Sequence, residues 1–199
     1  MLKQNFLDNS EINKYYFNKS YLNKAYLNKD NLLNIEHQLK ISKSIILFSI
    51  LGDHLLKLFQ KEIAQLEYTP EFKLSFYSRK KARTNLFIKT ICKSILKNYF
   101  KKEIKTINIY KFGWKDYTLL NDKIKSPKCL EAIFVFSKEN WHENDGGNIV
   151  YVDVTGMETV IPITNNSLIL KEKENGEKRY LKYVNSWAKH KNIVLIECI

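Results

Sequence analysis

Histidine, cysteine, proline and glycine are all scarce in this chain of 199 residues, which has four His, three Cys, three Pro and six Gly. The cysteines, Cys92, Cys129 and Cys198, are odd in number and far apart. With no Cys-x-x-Cys and no Cys/His pairing, neither a disulfide framework nor a zinc site is indicated. So little proline and glycine argues against a long disordered linker. The start, Met1-Leu2-Lys3-Gln4-Asn5, lacks the apolar core of a signal peptide. The longest apolar run, residues 44–51, is far short of the roughly 20 residues that span a bilayer. These absences lead to the expectation of a cytoplasmic protein with no membrane span and with reduced thiols.

What is present suits one domain with a real core. Hydrophobic residues make up 44% of the chain, an ordinary share, and the 13% that is aromatic is mostly Tyr and Phe, which favour strands. A net charge of +12 leaves nucleic acid, membrane surfaces and acidic partners open. Lys, Asn, Ile and Tyr are abundant, and all have AT-rich codons. A lysine excess by itself therefore specifies no partner.

Residues 1–35 differ from residues 36–199. Ile12-Asn13-Lys14, Phe17-Asn18-Lys19, Leu22-Asn23-Lys24 and Leu27-Asn28-Lys29 repeat an apolar residue plus Asn-Lys every five residues. That period fits neither a helix face nor a strand face. The segment reads as a low-complexity arm packed on the domain or on a partner protein. Tyr15, Tyr16, Phe17, Tyr21 and Tyr26 are its candidate anchors.

Beyond the arm, 44–50 reads as a buried strand, and Asp53 is placed to cap a helix bearing Leu55, Leu56, Phe59, Ile63 and Leu66. Residues 72–77 alternate like a strand, and 85–102 carries a continuous helical stripe from Phe87 to Tyr99. Eight short strands follow, at 104–111, 116–120, 130–137, 148–154, 158–161, 167–170, 179–184 and 192–198, separated by Gly, Pro, Asn and Asp turns. Two or three helices followed by eight strands imply an α+β fold whose strands form a jelly roll or barrel. On the long helix, Lys89, Lys93, Lys97 and Lys101 recur every four residues opposite the apolar stripe. Such a ladder is either a solvated face or a contact for an anionic partner, with nucleic acid among the candidates. No RNP-like strand, zinc finger or helix-turn-helix signal accompanies it.

The order of motifs resembles one family. Ile107-Asn108-Ile109-Tyr110, then Gly113, then Tyr117-Thr118-Leu119-Leu120-Asn121-Asp122 look like the strand, glycine and metal-motif segment of prolyl-hydroxylase-type 2-oxoglutarate/Fe(II) oxygenases. Ala132-Ile133-Phe134-Val135-Phe136, Trp141 and Asp145-Gly146-Gly147 resemble that family's core strand, tryptophan and turn. Val160-Ile161-Pro162 and Asn165-Asn166-Ser167-Leu168-Ile169-Leu170 resemble its later strands. The resemblance covers about residues 85–199 and implies a double-stranded β-helix.

It also implies a facial triad of two His and one carboxylate holding Fe(II), with sites left open for 2-oxoglutarate and oxygen. Laid over this chain, the first His falls at Asn121, the carboxylate at Lys123 and the distal His near Lys182. An ammonium repels iron, so these residues cannot form the site. Strand alternation turns the neighbouring Asp122 away, and His37, His54, His142 and His190 occur in no His-x-Asp or His-x-Glu pattern. By the same resemblance, Tyr110 and Lys191 stand where the cosubstrate's distal carboxylate would be held. The expectation is a catalytically inactive oxygenase-like domain, without iron or 2-oxoglutarate, that serves as a binding or structural partner. The alternatives are an active Fe(II)/2-oxoglutarate hydroxylase with non-standard ligands, and a basic nucleic-acid-associated protein.

Overall fold

The computed structural model describes residues 22–83, 85–119, 129–137 and 141–199. Within them lie three helices, α1 (Lys29–Ser42), α2 (Asp53–Gln65) and α3 (Leu86–Phe100). The strands are β1 (Ser44–Phe48), β2 (Tyr68–Lys73), β3 (Tyr77–Ala82), β4 (Ile107–Gly113), β5 (Tyr117–Thr118), β6 (Cys129–Ser137), β7 (Ile149–Val152), β8 (Glu158–Ile161), β9 (Ser167–Lys173), β10 (Lys178–Leu181) and β11 (Asn192–Cys198). All pairings are antiparallel, in the order β1-β9-β6-β11-β4-β3-β5-β10-β7-β8, with β2 on the side of β3.

That order makes two facing layers. β9, β6, β11 and β4 form the larger, β5, β10, β7 and β8 the smaller, and β3 joins them by pairing with both β4 and β5. From β4 onward the chain alternates between the layers except at the β7–β8 hairpin, which stays in the smaller one, and this is the winding of a jelly roll. This is the expected α+β architecture, and each of the eight strands read from residue 104 onward has its counterpart in β4 to β11.

Alternation along each strand separates two cores. Ile133 and Val135 of β6 point into the barrel with Tyr151, Ile169, Ile193 and Leu195. Phe134 and Phe136 point the other way, toward the helices, with Leu168, Leu170, Val194 and Ile196. Both faces of β6, β9 and β11 are covered, which explains their nearly unbroken apolar runs. Helix α3 supplies Ile88, Ile91, Cys92, Ile95 and Leu96 to the outer core. Burying each such aliphatic side chain contributes roughly 1.5–3 kcal/mol. The Asn85 side chain caps this helix by accepting from the Ile88 N–H at 2.8 Å.

Three local expectations change. Residues 72–77 are not one strand: the hairpin turn between β2 and β3 falls in their middle, with Ser75 at φ 61°. Their apolar members Phe72 and Leu74 are exposed, so the alternation there marks no buried face. Asp53 is the first helical residue of α2 rather than its cap, and Gly52 holds the cap position without a side-chain bond. Helix α1 begins inside the segment read as low-complexity, because Asn28 accepts from the Asp30 N–H at 3.0 Å and starts it.

Ile35 and Leu39 of α1 and Leu22 ahead of it are buried in the outer core. Tyr26 donates to the Phe48 carbonyl at 2.7 Å, so this anchor grips the domain itself. Tyr15, Tyr16, Phe17 and Tyr21 lie outside the described residues. Among those residues no helix is long and apolar enough to cross a membrane.

Candidate functional site

The barrel interior changes character along its length. The apolar layer of Ile133, Val135, Ile169 and Leu195 gives way to charge where Glu131 of β6, Glu197 of β11 and Arg179 of β10 point inward. Arg179 Nη2 donates to Glu197 Oε1 at 2.7 Å. Its Nη1 lies 2.9 Å from Glu131 Oε1 as an ion pair, without hydrogen-bond alignment. Tyr151, opposite Arg179 in the β7–β10 register, donates its hydroxyl to Glu131 Oε2 at 2.7 Å. Lys171, opposite Glu131 on β9, pairs with Glu177 at 2.8 Å and extends the charged layer.

One cation therefore sits between two carboxylates, and a phenol completes the shell. Burial works against the Arg179 charge, but Glu131 and Glu197 outweigh it and hold the guanidinium protonated. Burial raises the Glu197 carboxyl; Arg179 pulls it back and Glu131 pushes it up again, leaving it above its ordinary value. Burial, and then the Glu131 charge, push the Tyr151 hydroxyl well up, so it acts as a neutral donor.

Asp145, in the turn after Trp141, is the second buried carboxylate centre. It accepts from the His142 N–H at 2.8 Å and from Lys191 Nζ at 3.0 Å. Burial raises its pKa, but the His142 amide and Lys191 outweigh burial and hold it below the usual range. Trp141 Nε1 donates to the Gly146 carbonyl at 2.8 Å, and Gly146 bridges to Val184, so this turn is pinned across the barrel end.

Tyr110 and Lys191 are offset along the β4–β11 pair. Tyr110 opposes Leu195, whereas Asn192, next to Lys191, opposes Gly113 three residues further along β4, about 10 Å away. Tyr110 lies under the Arg79 guanidinium, 3.8 Å from its ring centre, and Arg79 is held by Glu71 at 3.0 Å. Asn121 and Lys123 lie outside the described residues. Lys182 follows β10 and donates its N–H to the Asn148 carbonyl at 2.9 Å. The charged residue that β10 delivers to the interior is Arg179, three positions earlier, beside the apolar Leu181. On α3, Lys89 and Lys97 are exposed and Lys93 half-buried, whereas Lys101 caps the helix at φ 54° with Nζ on the Asn98 carbonyl at 3.0 Å.

Sequence reasoning missed Arg179, Glu131 and Glu197, although a signal existed. Arg179 is one of three arginines among 33 basic residues, and Arg is the basic residue suited to buried ion pairs. Each glutamate interrupts an otherwise apolar strand, in Leu130-Glu131-Ala132-Ile133 and Leu195-Ile196-Glu197-Cys198.

No family model matches the chain, and no curated protein matches it. Solved structures do. A 2OG-Fe(II) oxygenase family oxidoreductase from Burkholderia pseudomallei is similar at a TM-score of 0.62 and 11% identity, covering 86% of this chain and 91% of that one. A prolyl-4-hydroxylase from Pseudomonas putida gives 0.60 and 8%, covering 84% of this chain and 97% of that one. A prolyl hydroxylase from Trichoplax adhaerens, solved with a hypoxia inducible factor peptide fragment, gives 0.63 and 11%, covering 87% and 94%. This chain has the 2OG-Fe(II) oxygenase fold.

Of the positions where the resemblance places iron ligands, Asn121 and Lys123 lie outside the described residues, and Lys182 lies just past β10. Among the described residues no three His, Cys, Asp or Glu side chains cluster to hold a metal ion. His37 and His54 are on helices α1 and α2, outside the barrel strands. Glu131 and Glu197 are already engaged by Arg179, and Glu131 also by the Tyr151 hydroxyl. A dicarboxylate entering the same layer would meet both glutamates.

Proposed function

We propose that this chain is a catalytically inactive oxygenase-like domain that works as a binding or structural partner. The observation that carries the reading is the Arg179 guanidinium held between Glu131 and Glu197 in the barrel interior. These charged side chains satisfy one another, so that layer of the barrel is filled by an internal ion-pair network and is not left open to a ligand. The packed strands around them provide a stable scaffold whose outer surface is left to do the work. On this reading the protein needs neither Fe(II) nor 2-oxoglutarate, and it acts in the cytoplasm.

Purified protein incubated with Fe(II) under anaerobic conditions and then desalted tests the reading. Metal analysis is expected to find far less than one iron per chain. A 2-oxoglutarate turnover assay is expected to yield no succinate above a protein-free blank. Stoichiometric iron together with succinate would overturn the proposal in favour of an active hydroxylase.

A further inference from the structure

Outside the barrel, two segments meet in a surface of aromatic rings and lysines that neither the interior nor the helical core uses. The turn after β4 and the segment after β10 are tied together, because the Lys115 N–H donates to the Val184 carbonyl and the Val184 N–H to the Asp116 carbonyl, both at 2.9 Å. Trp114 projects from the first segment, 38% exposed, and Tyr183 and Trp187 from the second, 51% and 76% exposed. Tyr117 packs beside Tyr183 with ring centres 6.4 Å apart. A domain of this size usually buries most of its tryptophan surface, so a cluster of open rings points to a ligand.

The charges around the rings say which kind. The Lys115 and Lys189 ammonium groups lie 4.4 Å and 5.6 Å from the Trp114 ring centre. Lys182 follows next to Tyr183. No carboxylate pairs with Lys115, Lys182 or Lys189 among the described residues. Asp116 is turned inward, its carboxylate accepting from the Ser78 hydroxyl at 2.8 Å and the Gly113 N–H at 2.9 Å, and Glu143, on the turn beside Trp187, is the exposed acid at the margin. An apolar protein partner would have to bury these lysines without counter-charges, at a desolvation cost. A duplex presents phosphates but keeps its base faces stacked. A single strand offers both unstacked bases for the rings and phosphates for the lysines.

We propose that Trp114, Tyr117, Tyr183 and Trp187, with Lys115, Lys182 and Lys189, form a binding surface for single-stranded nucleic acid. The bases stack on the rings and the phosphates meet the ammonium groups. This goes beyond the reading of the barrel and stands or falls separately, since the surface lies outside the interior and binding needs no statement about iron.

Fluorescence anisotropy of the full chain with labelled 12-nucleotide oligouridylate and oligothymidylate, against a 12-base-pair duplex, is the test. Single strands are expected to bind more tightly than the duplex and to quench tryptophan emission. Affinity is expected to fall with salt at a log–log slope of about −0.7 per phosphate contact. Trp187→Ala and Trp114→Ala are each expected to weaken binding about tenfold or more, and the Lys115→Glu/Lys189→Glu pair to weaken it further. Trp187 is so exposed that its replacement leaves folding intact, which circular dichroism checks. Reversing Lys89, Lys93 and Lys97 on α3 is expected to leave affinity nearly unchanged. Absence of binding at low salt, equal affinity for the duplex, or loss on reversing the α3 lysines while both tryptophan variants bind normally would each overturn the proposal.

Discussion

Arg179 and Glu197 meet at 2.7 Å although β10 and β11 belong to opposite layers of the barrel and are not neighbours in the sheet. Their ion pair, with Glu131 on a third strand, is a strut across the interior that backbone hydrogen bonding cannot supply. A buried ion pair contributes little net stability, because desolvating both charges offsets most of their attraction. Breaking one is another matter, since the remaining charge is left stranded.

Arg179→Met is therefore expected to destabilise the fold by about 3–5 kcal/mol at neutral pH, seen as a lower urea midpoint. Adding Glu131→Gln and Glu197→Gln to it should recover much of the loss, because no unpaired charge then remains. A single variant as stable as the parent would show that water or another cation neutralises the glutamates.

Two buried carboxylates tilt stability with pH in opposite directions. The Glu197 carboxyl sits above its ordinary value, raised by burial and by Glu131 against the pull of Arg179. Its contribution is complete below the unfolded pKa and is lost as pH rises through the folded one. Asp145 sits below its ordinary value, because the His142 amide and Lys191 outweigh burial. Its contribution is present above the unfolded pKa and is lost as pH falls through the folded one. Relative to the parent, Glu197→Gln should gain stability as pH rises from 4.5 toward neutrality, from the ordinary Glu value upward. Asp145→Asn should cost about 1.5–3 kcal/mol near neutrality, with the deficit shrinking as pH falls below the ordinary Asp value. Urea titrations across that range measure both slopes.

Gly146 and Gly156 both adopt left-handed backbone, at φ 76° and φ 87°, yet their surroundings differ. A methyl group on Gly146 would overlap the Tyr183 carbonyl oxygen, in backbone pinned by Trp141 and Val184. Nothing lies within 4 Å of one on Gly156. Gly156→Ala should cost about 1 kcal/mol, the conformational penalty alone. Gly146→Ala should cost several times more, or abolish soluble expression, as thermal melts would show.

The strands of the β region were legible because each combines an apolar run with a bounding turn. Their order then fixed the two layers. The charged interior was not legible in the same way. Lys182 and Arg179 lie three residues apart, and choosing between them required the β7–β10 register, which sets Arg179 opposite Tyr151 and Leu181 opposite Ile149. Glu131 and Glu197 read as ordinary strand residues until the sheet order brought β6 and β11 side by side facing β10. Tyr110 and Lys191 were both placed on strand or turn positions, but only the β4–β11 register separates them. Helix α1 was hidden by a different cause. Its first turn continues the Asn-Lys repeat, so composition masked the cap at Asn28.

The cysteines offer a direct readout of how the domain opens. Cys92 of α3 and Cys198 of β11 are buried next to one another across the outer core, whereas Cys129 is partly exposed. Burial, and then the neighbouring Cys198 thiol, push the Cys92 thiol well above its ordinary value, which suppresses the thiolate that alkylating reagents attack. Native protein should expose one thiol per chain to a disulfide reagent, and protein in denaturant all three. Labelling of the buried pair then requires opening of the core. If that opening is global, a 3–5 kcal/mol loss in Arg179→Met should raise its rate by about two to four orders of magnitude. Cys129 should hardly change. Equal acceleration at all three positions would mean that Arg179 holds the strand ends together rather than the whole barrel.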